Sequence, residues 1–296
     1  METELQSFLQ EMSVERSLSD NTLASYERDL RHFIRFAAEL GLDRPNQVMK
    51  HHMARYWLVL RQDGRKNASL SRYRVSLRAF FRYLLDKHVV DHDPTTDMDA
   101  PKSISPPPSI LSTEQVERLL AAPNKTEAAG TRDAAILETM YACGIRVSEV
   151  IALNVEDVHA GLGFIRLQAG SKERIVPFGR SAAEAIAAYL SSGRKTMLRG
   201  KQEEQALFVN RRGERMTRQG VWKIVKKYAS SAGFDGELTP HSLRHSFAAH
   251  LLENGADVRS VQEMMGHAGL AATQKYVQLT KSRIKEVYER THPRAR

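Results

Sequence analysis

The chain has 296 residues, and its 44 Lys and Arg against 35 Asp and Glu give a formal net charge of +9. That basic balance points to a polyanionic partner, of which nucleic acid is the commonest. A single cysteine, Cys143, excludes an intrachain disulfide framework and any zinc site built on several thiolates.

No apolar run approaches the ~18–20 residues of a membrane span, and Glu2 and Glu4 break the basic-then-apolar order of a signal peptide. A cytoplasmic protein with no membrane partner is expected.

Residues 1–90 read as a bundle of four or five helices. Over 22–40, Leu23, Tyr26, Leu30, Phe33 and Ile34 recur at three-and-four spacing, with Asp20 or Asn21 placed to cap. Leu70, Tyr73, Leu77, Phe81 and Leu84 repeat the pattern. Between Lys50 and Lys87 ten Lys or Arg stand against two acids, Asp63 and Asp86. Arg74, Arg78 and Arg82 fall four apart and form one helical stripe, whose mutual repulsion bound phosphates would relieve. The candidate DNA contacts are Lys50, Arg55, Arg65, Lys66, Arg72, Arg74, Arg78 and Arg82; a solvated basic face is the competing reading.

From 91 to 108, Pro94, Pro101, Pro106, Pro107 and Pro108 interrupt every period and mark a linker. A second domain over 109–296 opens with a capping box, Ser112 and Gln115, and a hydrophobic staple, Leu111 and Val116. Helices are expected over 112–120, 131–141 and 148–153. Two short strands follow, one through Phe164, Ile165 and Leu167, the other through Arg174, Ile175, Val176 and Phe178. A turn at Ala169, Gly170 and Ser171 joins them, and Lys172 leaves that turn. Helices resume over 182–190, 217–232, 240–254, 258–264 and 282–289. The expected fold is mainly α, in two domains, with a small antiparallel sheet in the second.

Thr239-Pro240-His241-Ser242-Leu243-Arg244 reads as a helix start, with Thr239 capping and Pro240 in the first helical position. His241 and Arg244 then share a face beside the free N–H groups of the first turn, an arrangement suited to a phosphate. A metal is the alternative, since His241 and His245 are four apart and His250 follows, but the glutamate of a His-Glu-x-x-His motif is missing. Taken singly, Tyr276 reads as packing, Lys172 as a solvated turn, Arg146 as a cap or partner of Glu149, and Cys143 as core.

Together, Arg146 after Gly144, Lys172 at the hairpin, His241-x-x-Arg244, Gly266-His267, and Tyr276 nine residues beyond His267 resemble the pattern of the tyrosine recombinase (phage integrase) family, Xer subgroup. Departures are small: Met265 precedes Gly-His where leucine is usual, and Ala271-Ala272-Thr273 replaces a more hydroxyl-rich run. The resemblance covers nearly the whole chain. It implies a SAM-like core-binding domain at the N-terminus, a C-terminal catalytic domain and a clamp around duplex DNA.

The implied chemistry needs no cofactor. Tyr276 is the nucleophile, and Arg146 and Arg244 clamp the non-bridging oxygens, because guanidinium forks match that geometry. Lys172 protonates the departing 5′-oxygen, His241 orients or accepts the tyrosine proton, and His267 hydrogen-bonds a phosphate oxygen.

The tail from Thr280 through Tyr288 to Arg294 is similar to the ending of the Xer branch that resolves chromosome dimers at dif-like sites during segregation and division. Implied partners are double-stranded DNA, further copies and a second Xer recombinase (XerC) in a tetrameric synapse, and an FtsK-type DNA translocase. Ile284, Val287 and Tyr288 would dock on a neighbouring subunit, with packing in cis as the competing reading. The alternatives are an integrase of a phage or mobile element, and a catalytically inactive sequence-specific DNA-binding protein.

Overall fold

The structure, a computed structural model, describes residues 1–14, 18, 20–96, 109–169, 172–201, 203–234 and 238–266. The chain divides into two compact units, Met1–Pro106 and Pro107–Arg296.

Among the described residues of the first unit, the α-helices are α1 (Glu2–Val14), α2 (Asp20–Glu39), α3 (Lys50–Gln62) and α4 (Asn67–Asp86). The three-and-four spacing buries Leu30, Phe33, Ile34 and Ala37 of α2 against Leu70, Tyr73, Leu77, Phe81 and Leu84 of α4. Phe33 meets the rings of Tyr56 and Phe81 edge-on at 5.2 and 5.8 Å. Tyr56 is fully buried, and its hydroxyl lies 2.8 Å from His32 Nδ1. Burial holds the phenol above its usual range and pushes the imidazole below its own, so both groups of the pair favour their neutral forms.

A polar tie also crosses this core. Asp29 of α2 accepts from Arg72 Nη1 at 2.5 Å and Ser76 Oγ at 3.1 Å, both on α4. Burial raises the Asp29 carboxyl above its ordinary value despite the Arg72 charge beside it.

In the second unit, α5 (Thr113–Ala121) starts at the expected box: Ser112 Oγ accepts from Gln115 N, and Gln115 Oε1 accepts from Ser112 N. Helix α6 (Ala128–Cys143) is buried on nearly all sides, with Ala135, Ile136, Leu137, Met140 and Cys143 in the core. Its Asp133 accepts from Arg132 and from Tyr228 Oη, 2.7 and 2.9 Å away. After α7 (Val147–Ala152) come β1 (Val158–His159), β2 (Phe164–Ala169) and β3 (Lys172–Pro177), an antiparallel sheet in that order. Ile165 faces Val176, Leu167 faces Arg174 and Ala169 faces Lys172.

The helix expected over 182–190 begins earlier, as α8 (Arg180–Ala188), and passes through a π-turn, Tyr189–Gly193, into α9 (Arg194–Leu198). Ser191 and Ser192 donate to the Ala188 carbonyl at 3.0 and 3.1 Å, which stabilises a widened turn where polar residues suggest an end. The chain continues into α10 (Arg218–Ser231), α11 (Pro240–Glu253) and α12 (Val258–Met265). The helix expected over 282–289 and most of the expected linker lie outside the described residues. Among the described residues, no helix is long and apolar enough to cross a membrane.

Candidate active site

Two of the described candidates, Arg146 and Arg244, are brought together in the second unit. Helix α6 ends at Gly144, which turns the chain with φ +56°, a left-handed conformation that suits a residue without Cβ. Two residues later Arg146 is the N-cap of α7. Its backbone N–H donates to Glu149 Oε2 at 2.7 Å, its Nη1 to Glu149 Oε1 at 3.1 Å, and its Nη2 to the Gly266 carbonyl at 3.1 Å. The side chain keeps 38% of its surface exposed.

Helix α11 starts as its motif requires. Thr239 Oγ1 accepts from Ser242 N, Pro240 takes the first position, and His241 stands exposed in the first turn. One turn on, Arg244 is 4% exposed and donates to the carbonyls of Gly144 and Met265. The two candidate clamps therefore meet neighbouring carbonyls at the end of α12.

A third guanidinium, of Arg174 on β3, donates to the carbonyl before those, Met264, at 3.0 Å. Consecutive carbonyls at Met264, Met265 and Gly266 thus accept from Arg174, Arg244 and Arg146 in turn. The end of a helix leaves such carbonyls without intrahelical partners and negatively polarised, and positive donors satisfy both conditions.

Glu149 binds the cluster from the other side. Its Oε1 accepts from Arg146 and, at 2.8 Å, from Arg174. Burial alone would raise its carboxyl. The hydrogen bonds from Arg174 and the Arg146 backbone, with both guanidinium charges, outweigh that and hold it below the ordinary carboxylate range. The cluster is a carboxylate set among cations, with Arg146 open to solvent.

Lys172 opens β3, its backbone opposite Ala169. His267 and Tyr276 follow Gly266 outside the described residues, as do Thr273 and the segment with Ile284, Val287 and Tyr288. Arg146 caps its helix and pairs with Glu149, as the sequence suggests; the bridge from Glu149 to Arg174, and from Arg174 to Met264, is the part sequence reasoning missed. One signal for Arg174 existed: β3 alternates so that Val176 is buried while Ile175 is 60% exposed, which puts the arginine on the side expected to be apolar.

The metal alternative loses its third ligand. His250 Nε2 lies 2.9 Å from the Leu111 carbonyl and must donate to it, so Nδ1 accepts from Tyr141 Oη at 2.9 Å. Among the described residues no three His, Cys, Asp or Glu group as metal ligands. Cys143 is buried, and burial pushes its thiol up to about 12.

In the first unit, Lys50, Arg55, Arg65, Lys66, Arg78 and Arg82 stand exposed. Arg72 is engaged with Asp29. Arg74 is half-buried, with Nε enclosed and without a hydrogen-bond partner, so the stripe is less exposed at its N-terminal end.

Residues 109–283 match the phage integrase family, and residues 5–88 match the phage integrase N-terminal SAM-like domain. The chain belongs to the phage integrase family and is a site-specific DNA recombinase of the tyrosine class. It is 43% identical over 293 residues to the tyrosine recombinase XerD of Listeria monocytogenes serotype 4b (strain F2365), covering 98% of this chain and 99% of that one. The tyrosine recombinase XerD of Halalkalibacterium halodurans is 44% identical over 293 residues, 98% of each chain. In fold it resembles the XerH site-specific recombinase bound to palindromic difH substrate in a post-cleavage complex, with a TM-score of 0.73, 20% identity, and 97% and 94% of the two chains covered.

Proposed function

We propose that the protein cleaves one strand of a dif-like duplex through Tyr276 and reseals it to a new partner strand. The phenolic oxygen forms a bond to the scissile phosphorus while the bond to the 5′-oxygen breaks, leaving a 3′-phosphotyrosine and a 5′-hydroxyl. The phenol proton passes to His241, and Lys172 supplies the proton that the 5′-oxygen takes up. Arg146 and Arg244 hold the non-bridging oxygens, with His267 as a further donor. The phosphotyrosine conserves the bond, so attack by another 5′-hydroxyl completes exchange without ATP.

The observation that carries this reading is the convergence of Arg146 and Arg244 on the last carbonyls of α12, immediately before His267. Arg146 keeps 38% of its side chain open to solvent, while Arg244 is buried on the carbonyls of Gly144 and Met265.

Likeness to the XerD proteins, and in fold to a recombinase held on difH, supports chromosome-dimer resolution at a dif-like site. Double-stranded DNA is then the substrate. Further copies, a second recombinase of the XerC type and an FtsK-type translocase are the partners of that reaction, in a tetrameric synapse in the cytoplasm.

The test is a duplex nicked near the scissile phosphate, from which the short cleaved strand diffuses away and traps the adduct. The wild-type protein is expected to become covalently attached, with the labelled peptide containing Tyr276, and Tyr276→Phe to leave no adduct. Covalent capture by that variant would refute the assignment.

A further inference from the structure

We infer that Arg174 is a positioning residue of the recombination site, a strut that keeps the strand opened by Lys172 in register with the Arg146 cap and the end of α12. The inference deepens the function proposed above and rests on Lys172 being the proton donor.

Arg174 joins three elements through one side chain. It leaves β3 two residues after Lys172, donates Nε to Met264 O of α12 at 3.0 Å, and donates Nη1 to Glu149 Oε1 of α7 at 2.8 Å. Only 16% of the side chain is exposed. Gly266, with φ +61°, leaves it room: a Cβ there would stand 2.9 Å from Nη1. The guanidinium is thus wedged between the strand and the helix terminus.

An ordinary buried ion pair would stabilise the fold and do nothing more. Two observations favour the positioning role. First, every acceptor of Arg174 is shared with, or adjacent to, an acceptor of a clamp. Glu149 Oε1 also takes Arg146, and Met264 O precedes the carbonyls that take Arg244 and Arg146. Second, Glu173 and Ile175 are exposed while Val176 is buried, so Arg174 and Val176 are the two anchors of β3 between Glu173 and Val176. Arg174 is the one nearer Lys172.

Removing the guanidinium would free that end of the hairpin and leave Glu149 with Arg146 alone. Lysine at 174 keeps the charge but, as a single ammonium on a flexible stem, does not reproduce the fork that spans two acceptors.

The experiment compares two nicked duplexes built on the dif sequence of the source chromosome, one ordinary and one with the scissile 5′-oxygen replaced by sulfur. A thiol leaving group, with a pKa of about 8.5 against about 15.7 for water, departs without a general acid. On the ordinary duplex, Arg174→Met is expected to cleave about 100-fold and Arg174→Lys about tenfold more slowly than wild type, as misplacement of a reacting group by about 1 Å does. DNA affinity should be unchanged, and both variants should return to within about threefold of wild type on the sulfur duplex.

Equal slowing on both duplexes, or wild-type rates on the ordinary one, would overturn the inference. If Arg174→Met does not fold, Arg174→Lys decides alone. Lys172→Met separates the two layers. If it stays slow on sulfur, the acid role of Lys172 fails and the inference falls with it; if it recovers while the Arg174 variants do not, only the strut is refuted.

Discussion

The ring of Phe247 occupies the space that a side chain at Gly144 would need: a Cβ there would stand 2.2 Å from its Cδ1. Phe247 is buried, and Gly144 holds φ +56° while its carbonyl accepts from Arg244. Gly144→Ala therefore meets a left-handed backbone, which costs about 1–2 kcal/mol, and must also displace the ring. The expected loss of stability in urea is roughly 2–4 kcal/mol. Because the same carbonyl seats a proposed clamp, covalent DNA capture should fall by about tenfold or more even where the variant remains folded. Unchanged melting together with unchanged capture would show that the turn and the clamp are independent.

Arg72 and Asp29 call for a comparison of single and double variants. Asp29 is fully buried and Arg72 partly so, with 37% of its side chain exposed. Removing the cation strands a desolvated carboxylate, a change worth about 3–5 kcal/mol when both partners are buried and less where one is partly solvated. Arg72→Ala is expected to cost roughly 2–3 kcal/mol in urea unfolding, with Asp29→Asn added to it restoring most of the loss. A double variant no more stable than Arg72→Ala would exclude the stranded charge as the cause.

The local framework of this site is legible in the sequence because its signals are short-range. The caps at Ser112 and Thr239, the glycine ending α6 and the hairpin around Lys172 each declare themselves within a few residues. What escaped is long-range. Arg174 meets Glu149 and Met264 across 25 and 90 residues, and Arg72 meets Asp29 across 43, so from their neighbours Arg174 reads only as a strand residue and Arg72 as a DNA contact. The π-turn escaped for a different reason: Ser191, Ser192 and Gly193 are the residues that usually end a helix.

The exposed cations of the first unit lead to a salt experiment. Each phosphate contact contributes about 0.9 to the slope of log affinity against log salt on duplex DNA. Arg78→Ala and Arg82→Ala, both at exposed positions on α4, are each expected to reduce that slope by about 0.9 while leaving thermal stability unchanged. Arg72→Ala should show the opposite profile, with its main effect on unfolding. Slopes identical to wild type in both exposed variants would remove this stretch of α4 from the DNA interface.

Cys143 offers a control on the core of the second unit. The thiol is fully buried, and burial pushes it up to about 12, so the reactive thiolate is scarce near neutral pH. Alkylation of the native protein near pH 8 should proceed at the rate of unfolding rather than that of a free thiol, and should accelerate with urea in step with the loss of structure. Rapid labelling without urea would contradict the packing around the end of α6.

Glu149 sets the acid limit of the site. Burial acts to raise its carboxyl, but hydrogen bonds from Arg174 and the Arg146 backbone, with the two guanidinium charges, bring it below its ordinary value of 4.5. A carboxyl depressed in the folded state adds stability that is fully present above the unfolded value and fades as pH falls through the folded one. Glu149→Gln should therefore be less stable than wild type near pH 7, and the gap should narrow steadily below about pH 4.5 as the wild-type carboxylate takes up its proton. Urea titrations of both proteins from about pH 7 to about pH 3 measure the gap directly. A difference that persists undiminished at the acid end would mean that glutamine disturbs packing or hydrogen-bond geometry rather than charge, and would separate the shape of this cluster from its electrostatics.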